Sequence, residues 1–215
     1  LRHCVRHFFF CQVVIIFTSE SAILAKFNFF IMISEFCQKW AQSHNVQIQE
    51  STSATEDGER KVWQRCVSWG VNPMPYRIVV LDNDSVIGCS YFDDKGFLSA
   101  LAVLPEHRNQ RLGKLLVAAS VSHMVNVLKV DPKNVHLFVM QCDASKERDA
   151  FYKSCGFGSS YGNTATHGGT YRFVGFEGVS GGSVFGTDFS RGKIDEMIMN
   201  SKSTRSGAKV LSQPF

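Results

Sequence analysis

The chain has 215 residues, 44% of them hydrophobic and 20% charged, with a formal net charge of +4 at neutral pH. That is enough for one domain of ordinary size with its own core, plus tails. The mild positive charge, with no Lys/Arg block and no aromatic RNA-binding signature, argues against a nucleic-acid partner. Seven cysteines, an odd number and with no C-x-x-C pair, argue against a disulfide framework and against a zinc site. Reduced thiols in a cytoplasmic protein are the plain reading.

Residues 1–31 stand apart. "HFFFCQVVIIF" (His7 to Phe17) and "FNFFIMI" (Phe27 to Ile33) are apolar, with Ser, Glu and Lys between them. Neither reaches the roughly 20 residues of a membrane-spanning helix. Arg2 and Arg6 precede the first run, as basic residues precede a signal-peptide core. The chain starts with Leu1, and Met32 follows the segment. Three readings stand side by side: an over-extended reading frame upstream of Met32, a signal or anchor, and an ordinary extra helix or strand. No function is built on this segment.

From Ile33 onward the pattern is regular. Ser34 to Ser43 is compatible with a short helix. "NVQIQEST" (Asn45 to Thr52) alternates Val46, Ile48 and Glu50, the period of a strand. Ala54 to Gly70 reads as a helix with Val62, Cys66 and Trp69 on one face. Glu56, Asp57 and Glu59 fall in its first turn, where the dipole favours them. "NPMP" breaks the chain. "YRIVVLD" and "SVIGCSYF" are strand-like runs joined by a short polar hairpin connection. After a turn at Asp93 to Gly96, "FLSALAVL" (Phe97 to Leu104) is apolar almost throughout, as a central strand buried on both faces is.

A polar stretch, "PEHRNQRLG", leads from that strand into a helix over Leu112 to Leu128. Leu112, Leu116, Val117, Met124, Val127 and Leu128 mark its packed side. "NVHLFVM" (Asn134 to Met140) is another strand. Asp143 and Ser145 are candidate N-caps for a helix reaching about Cys155, with Gly156 ending it. "GTYRFVGF" (Gly169 to Phe176) is a last strand. The Gly/Ser-rich stretches before and after it read as loops, and a short helix is expected over Lys193 to Asn200.

"VLPEHRNQRLGKLL" (Val103 to Leu116) resembles the acetyl-CoA loop of the GNAT superfamily of N-acetyltransferases. "AFYKSCGF" (Ala150 to Phe157) is similar to the tyrosine-and-"GF" signature of that family's second conserved block. The two blocks stand in the family's order, and the resemblance covers roughly Val46 to Phe176. It implies an α+β fold of three layers: a central, mostly antiparallel, twisted sheet flanked by helices and splayed at a cofactor cleft. It also implies three segments: residues 1–31 as an extra segment, 32–176 as the acetyltransferase domain, and 177–215 as a Gly/Ser-rich extension with a short helix.

The resemblance further implies acetyl-CoA as acyl donor, no metal, and direct attack by a primary amine on the thioester. The acceptor would be a small amine, an amino-acid derivative, or a peptide or protein amine. A homodimer is common in this fold, though no residue here marks an interface. The loop would hold the pyrophosphate with backbone N–H groups at a helix N-terminus. That assigns Arg108, Asn109, Gln110, Arg111, Leu112, Gly113 and Lys114 to the cofactor. Arg111 replaces the family's first glycine and is expected to keep a negative φ; Arg108 and Arg111 would add charge-assisted contacts. The pantetheine arm would pair with the backbone of Leu101, Ala102 and Val103, with the oxyanion held by an N–H near Val103. Tyr152 stands where the family has its general acid, and packing against the arm or the core is its other reading. Ser145 occupies the spacing of a cofactor-binding asparagine and is equally an N-cap.

No carboxylate lies on the strand where some family members carry a base. Glu50, Asp93, Asp94 and Glu106 are near in the order of elements, and a water relay serves as well. His107 and His136 read as surface or packing residues. Cys142 and Cys155 have no His/Asp partner pattern for thiol catalysis. A hydrolase using Ser or Cys would lack any G-x-S-x-G elbow here. The competing function is a non-catalytic module of the same fold that binds CoA weakly or serves in protein interaction. The Arg111 departure and the missing carboxylate support it.

Overall fold

The structure, a computed structural model, describes residues 33–67, 71, 74–140, 143–161, 167–174 and 193–201, all within one unit, Met32–Phe215. In chain order these residues build α1 (Glu35–Ser43), β1 (Gln47–Glu50), α2 (Glu56–Cys66), β2 (Tyr76–Asp82), β3 (Ser85–Phe92) and β4 (Phe97–Val103). Then follow α3 (Leu112–Ser122), β5 (His136–Val139), α4 (Lys146–Ser154), β6 (Phe157–Tyr161), β7 (Gly169–Phe173) and α5 (Lys193–Asn200). The strands form one sheet in the order β1-β2-β3-β4-β5-β7-β6. Every pairing is antiparallel except β4 with β5. The expected α+β architecture, a mostly antiparallel sheet between helical layers, is the one observed.

Two apolar clusters cover the two faces of the sheet. The larger joins α1, α3 and α5 to β2, β3 and the β5–β7 side through residues such as Cys37, Ile78, Leu116, Val121, Phe157 and Ile198. The smaller joins α2 to β2, β3 and β4 through Val62, Trp63, Val79, Cys89 and Ala102. α3 is buried almost all round, not on one side only, because the sheet, α1 and α5 enclose it. That is why its sequence is apolar in every direction.

Three expectations change. The helix beginning at Leu112 is α-helical only to Ser122 and widens into a π-helical turn over His123–Val127. α2 ends at Cys66 with Val67 extended, and Trp63 packs beside Val62; Trp69 lies outside the described residues. A strand, β6, occupies Phe157–Tyr161 where the Gly/Ser composition suggests a loop. It pairs with β7 from Phe157↔Phe173 to Tyr161↔Thr170, and Phe157 anchors it in the core. Pairing and one buried aromatic override a weak strand propensity. The short helix expected over Lys193 to Asn200 is α5, and Ile194, Ile198 and Met199 seat it in the larger core.

α5 also buries a charge. Asp195 is fully buried, and neither carboxyl oxygen has hydrogen-bond geometry to a partner among the described residues. Burial raises its pKa from 3.8 to about 6, with the Ser34 and Ser122 hydroxyls opposing only in part. The neutral acid is the form the fold prefers. Its contribution is present below the unfolded value near 3.8 and is lost as pH rises through about 6. Asp195→Asn is therefore expected to be more stable than wild type at neutral pH by ~3 kcal/mol, the gap closing as pH falls to 4. Urea unfolding at both pH values checks this, and a gap independent of pH would refute it.

The loop before α3 carries backbone strain. Arg111, immediately preceding the helix, has φ 61° and ψ 6°, and Asn109 has φ 66°. The negative φ expected at Arg111 is not found. The backbone takes the left-handed turn that glycine adopts freely, and a Cβ there costs roughly 1–2 kcal/mol. Arg111→Gly is expected to stabilise the protein by ~0.5–1 kcal/mol after the extra chain entropy of glycine is counted. A lowered melting temperature would contradict the assignment of strain to this residue.

Candidate active site

β4 and β5 pair only at Phe97↔His136 and Leu98↔Leu137. At the base, the His136 N–H donates to the Gly96 carbonyl at 2.9 Å. Gly96 has φ 94°, and a Cβ there would meet the Asn134 carbonyl oxygen at 2.8 Å, so the turn admits only glycine. Beyond Leu98 the strands diverge. Between them lies a cleft of ≈ 700 Å³, within the size range of cofactor sites.

A bulge decides which backbone groups face this cleft. β3 and β4 pair at Phe92↔Leu98 and Tyr91↔Ala100, leaving Ser99 over. The extra residue inverts the alternation of the strand. The side chains record it: Leu98 belongs to the α3 side, while Ala102, four residues on, packs with Val62 and Trp63 on the α2 side. The Leu104 N–H donates to the Ile87 carbonyl at 2.9 Å, so Leu104 and, two residues back, Ala102 turn their backbone groups to β3. Leu101 and Val103 turn theirs to the open side. Of the three positions expected to pair with a ligand, Ala102 is thus directed elsewhere. The Val103 carbonyl already accepts Arg108 Nε at 3.1 Å and the Cys66 thiol at 3.4 Å. The Val103 N–H lies on that same open edge.

The loop into α3 divides. Arg108 and Asn109 line the cleft. Gln110 and Arg111 are exposed and do not line it. The Leu115 N–H donates to the Arg111 carbonyl at 3.0 Å, so the N–H groups of Leu112, Gly113 and Lys114 precede the helical ladder. Their side-chain positions point away from a ligand. Leu112 is in the core. A Cβ on Gly113 would meet the Phe151 ring at 3.2 Å, so that glycine makes room for Phe151 and not for phosphate. The Lys114 ammonium, expected at the cofactor, donates instead to Ser201, at 2.7 Å to its carbonyl and 2.8 Å to its hydroxyl.

α4 supplies the opposite wall. Ser145 is its N-cap, its hydroxyl accepting the Arg148 N–H at 3.1 Å, and it also lines the cleft. Asp143 pairs with Arg148 at 3.1 Å. Tyr152 lines the cleft and is half-buried, its ring 5.1 Å from Phe151 and 5.5 Å from Tyr171. Burial raises its phenol well above the ordinary value, with Arg148 opposing, so the hydroxyl stays protonated at neutral pH.

α2 forms the third wall through Trp63 and Cys66. It is pinned by Glu59, which the sequence places in the first turn, where the dipole favours it. Glu59 is 1% exposed. Its carboxylate accepts the Ser51, Thr55 (3.0 Å) and Tyr91 (2.9 Å) hydroxyls and lies 3.7 Å from Arg77. The signal was present: positions 59, 62, 63 and 66 share one helical face.

The candidate bases are placed elsewhere. Glu106 is held by Arg65 at 2.6 and 3.2 Å on the surface. Asp93 caps its own turn through the Lys95 and Phe97 N–H groups. Glu50 lies 3.6 Å from His123 in a separate small pocket. His136 stacks on Phe97. Neither these nor Asp94 or His107 line the cleft; among the described residues its carboxylates are Asp143 and Glu147, both beside α4. Cys155 is buried, and Cys142 lies outside the described residues. No helix among the described residues is long and apolar enough to cross a membrane, and no group of three metal-ligating side chains is found among them.

Residues 75–158 match the model of the acetyltransferase (GNAT) domain. No curated protein matches the chain. Solved structures do. Ard1 from Thermoplasma volcanium is 18% identical, with 59% of this chain and 95% of that one covered and a TM-score of 0.49. The GNAT-family N-acetyltransferase YhbS from Escherichia coli, in complex with CoA, is 15% identical over 60% and 82%, with a TM-score of 0.45. The ribosomal-protein-S18-alanine N-acetyltransferase from Escherichia coli is 18% identical over 59% and 90%, with a TM-score of 0.42. The matched domain runs from the start of β2 into β6 and holds the bulged strand, the loop into α3 and Tyr152; over these residues the chain is similar to the GNAT acetyltransferase domain.

Proposed function

We propose that this chain is an acetyl-CoA-dependent N-acetyltransferase acting on a primary amine. The observation that carries the reading is the split between β4 and β5, with the open backbone of Leu101 and Val103 facing a cleft that Tyr152, Arg108 and Asn109 also line. An extended, amide-bearing arm fits an unpaired strand edge. The phosphates of the donor fit the N-terminal turn of α3, with Arg108 adding charge. No metal enters the reaction. The acceptor is a small amine, an amino-acid derivative, or a peptide or protein amine. Four described cysteines, Cys37, Cys66, Cys89 and Cys155, are free thiols, which supports a cytoplasmic setting.

In this reading the amine nitrogen bonds to the thioester carbon, and the Val103 N–H donates to the oxygen that gains charge. Collapse breaks the C–S bond. Tyr152 donates its phenolic proton, or a hydrogen bond, to the departing sulfur. A thiol has an ordinary pKa near 8.5 and a phenol near 10. With Tyr152 raised further, full transfer is uphill and hydrogen-bond donation is the larger part. The amine arrives neutral and releases its proton to water; the carboxylates that line the cleft, Asp143 and Glu147, stand on the α4 side, and Asp143 is paired with Arg148. A non-catalytic module is the second reading, favoured by Arg111 in place of glycine and by the missing base.

Calorimetric titration of acetyl-CoA, followed by thiol release over a panel of amines, separates the two. Binding in the micromolar range with acceptor-dependent release is expected, and Tyr152→Phe is expected to lower kcat roughly 10²-fold with little change in binding. Binding without release for any amine would favour the module. No binding by folded protein would overturn the acetyltransferase reading and leave the non-catalytic module.

A further inference from the structure

Lys114 is the third residue of α3 and only 6% exposed. Its ammonium is held by two oxygens of Ser201, just past the end of α5. The Ser201 hydroxyl lies 2.8 Å from the Ile198 carbonyl and also contacts the Ser154 carbonyl, and the Ser201 N–H donates to Met197 at 3.0 Å. The clasp therefore joins the start of α3, the end of α4 and the end of α5. All of these partners are neutral. No carboxylate lies within 4.0 Å of the Lys114 ammonium among the described residues. Burial lowers its pKa below the ordinary value; the nearby Cys155 thiol opposes this and Arg111 adds to it.

A buried cation without an anion is costly. Its place makes the cost greater, since the first turn of a helix already carries positive partial charge. A neutral donor such as glutamine would serve the same three-element clasp without that cost. The arrangement becomes favourable when an anion sits at the mouth of the helix.

We infer that Lys114 is a positioning residue for the donor's pyrophosphate, acting through its charge from behind the first turn of α3, and that Ser201 on the C-terminal helix holds it there. This rests on the acetyl-CoA reading above. The ammonium does not touch the ligand. It raises the potential at the N–H groups of Leu112, Gly113 and Lys114, and its attraction appears only when a di-anion arrives. The C-terminal helix thereby contributes to cofactor affinity with no residue in the cleft.

The test uses the full chain, with acetyl-CoA as probe, on wild type, Lys114→Gln and Lys114→Met. Both variants are expected to bind about five-fold more weakly at low ionic strength, the difference narrowing at about 0.5 M salt as screening grows. Gln keeps a neutral N–H donor directed toward Ser201 and Met does not, so equal losses identify the charge. Wild-type affinity in folded Lys114→Gln overturns the inference and leaves a structural clasp. The wild type supplies a check that needs no variant. Calorimetry near pH 9.5 in buffers of different ionisation enthalpy is expected to show proton uptake on binding, because the anion raises the lysine pKa. No uptake overturns the inference. Failure of the wild type to bind acetyl-CoA at all defeats the acetyl-CoA reading itself, a result distinct from either.

Discussion

The parting of β4 from β5 is the constraint from which the site follows. Inside a sheet every backbone N–H and C=O normally has a partner, and leaving them open is costly. Here pairing stops after two positions. The opening persists because each strand is secured on its other side, β4 along β3 and β5 along β7. The chain also covers part of what it leaves open. The Val103 carbonyl is taken by Arg108 and Cys66, from the loop and from α2. Acceptors on that edge are thus partly satisfied internally, while donors are left for a ligand.

The walls are held by buried charges of two kinds. Glu59 fixes α2 to the sheet with three hydroxyls and a nearby guanidinium, so its charge is compensated within the fold. It is a structural charge, and its removal would take this acceptor from the three hydroxyls. Lys114 has hydrogen bonds but no counter-charge. Folding explains the first arrangement completely and the second only in part. That asymmetry lies across the cleft: the α2 wall is electrically finished, and the α3 mouth is not.

Much of this was legible in the sequence, for identifiable reasons. The order of strands and helices followed from period-2 and period-3.6 patterns, and the loop and the Tyr152 block marked the cleft. Misreadings arose where tertiary pairing overrode local composition. β6 is written in glycine and serine, and only β7 beside it makes it a strand. Glu59 was read by its charge and not by its helical phase with Val62 and Trp63. Lys114 was assigned to the cofactor because it follows the loop, yet one turn of helix rotates its side chain to α5, and a contact spanning 87 residues leaves no local trace. Arg111 was read as presenting its N–H with φ negative; the turn imposed a positive φ on the residue instead.

The feature hardest to read is also the one that sets the chemistry. "FLSALAVL" is apolar on both faces, so its sequence has no alternation in which a bulge at Ser99 could appear. Without the extra residue, Ala102 would face the cleft, and Leu101 and Val103 would pair with β3. In the proposed reaction the donor to the thioester oxygen would then belong to a different residue, and the Val103 carbonyl could not be capped by Arg108. One unpaired residue in a strand thus determines which backbone atoms are open to a ligand, although no side chain of the strand does any chemistry. The side chains give only an indirect sign, Leu98 and Ala102 packing on opposite faces despite an even spacing. In this fold the site is as much a matter of backbone phase as of residue identity.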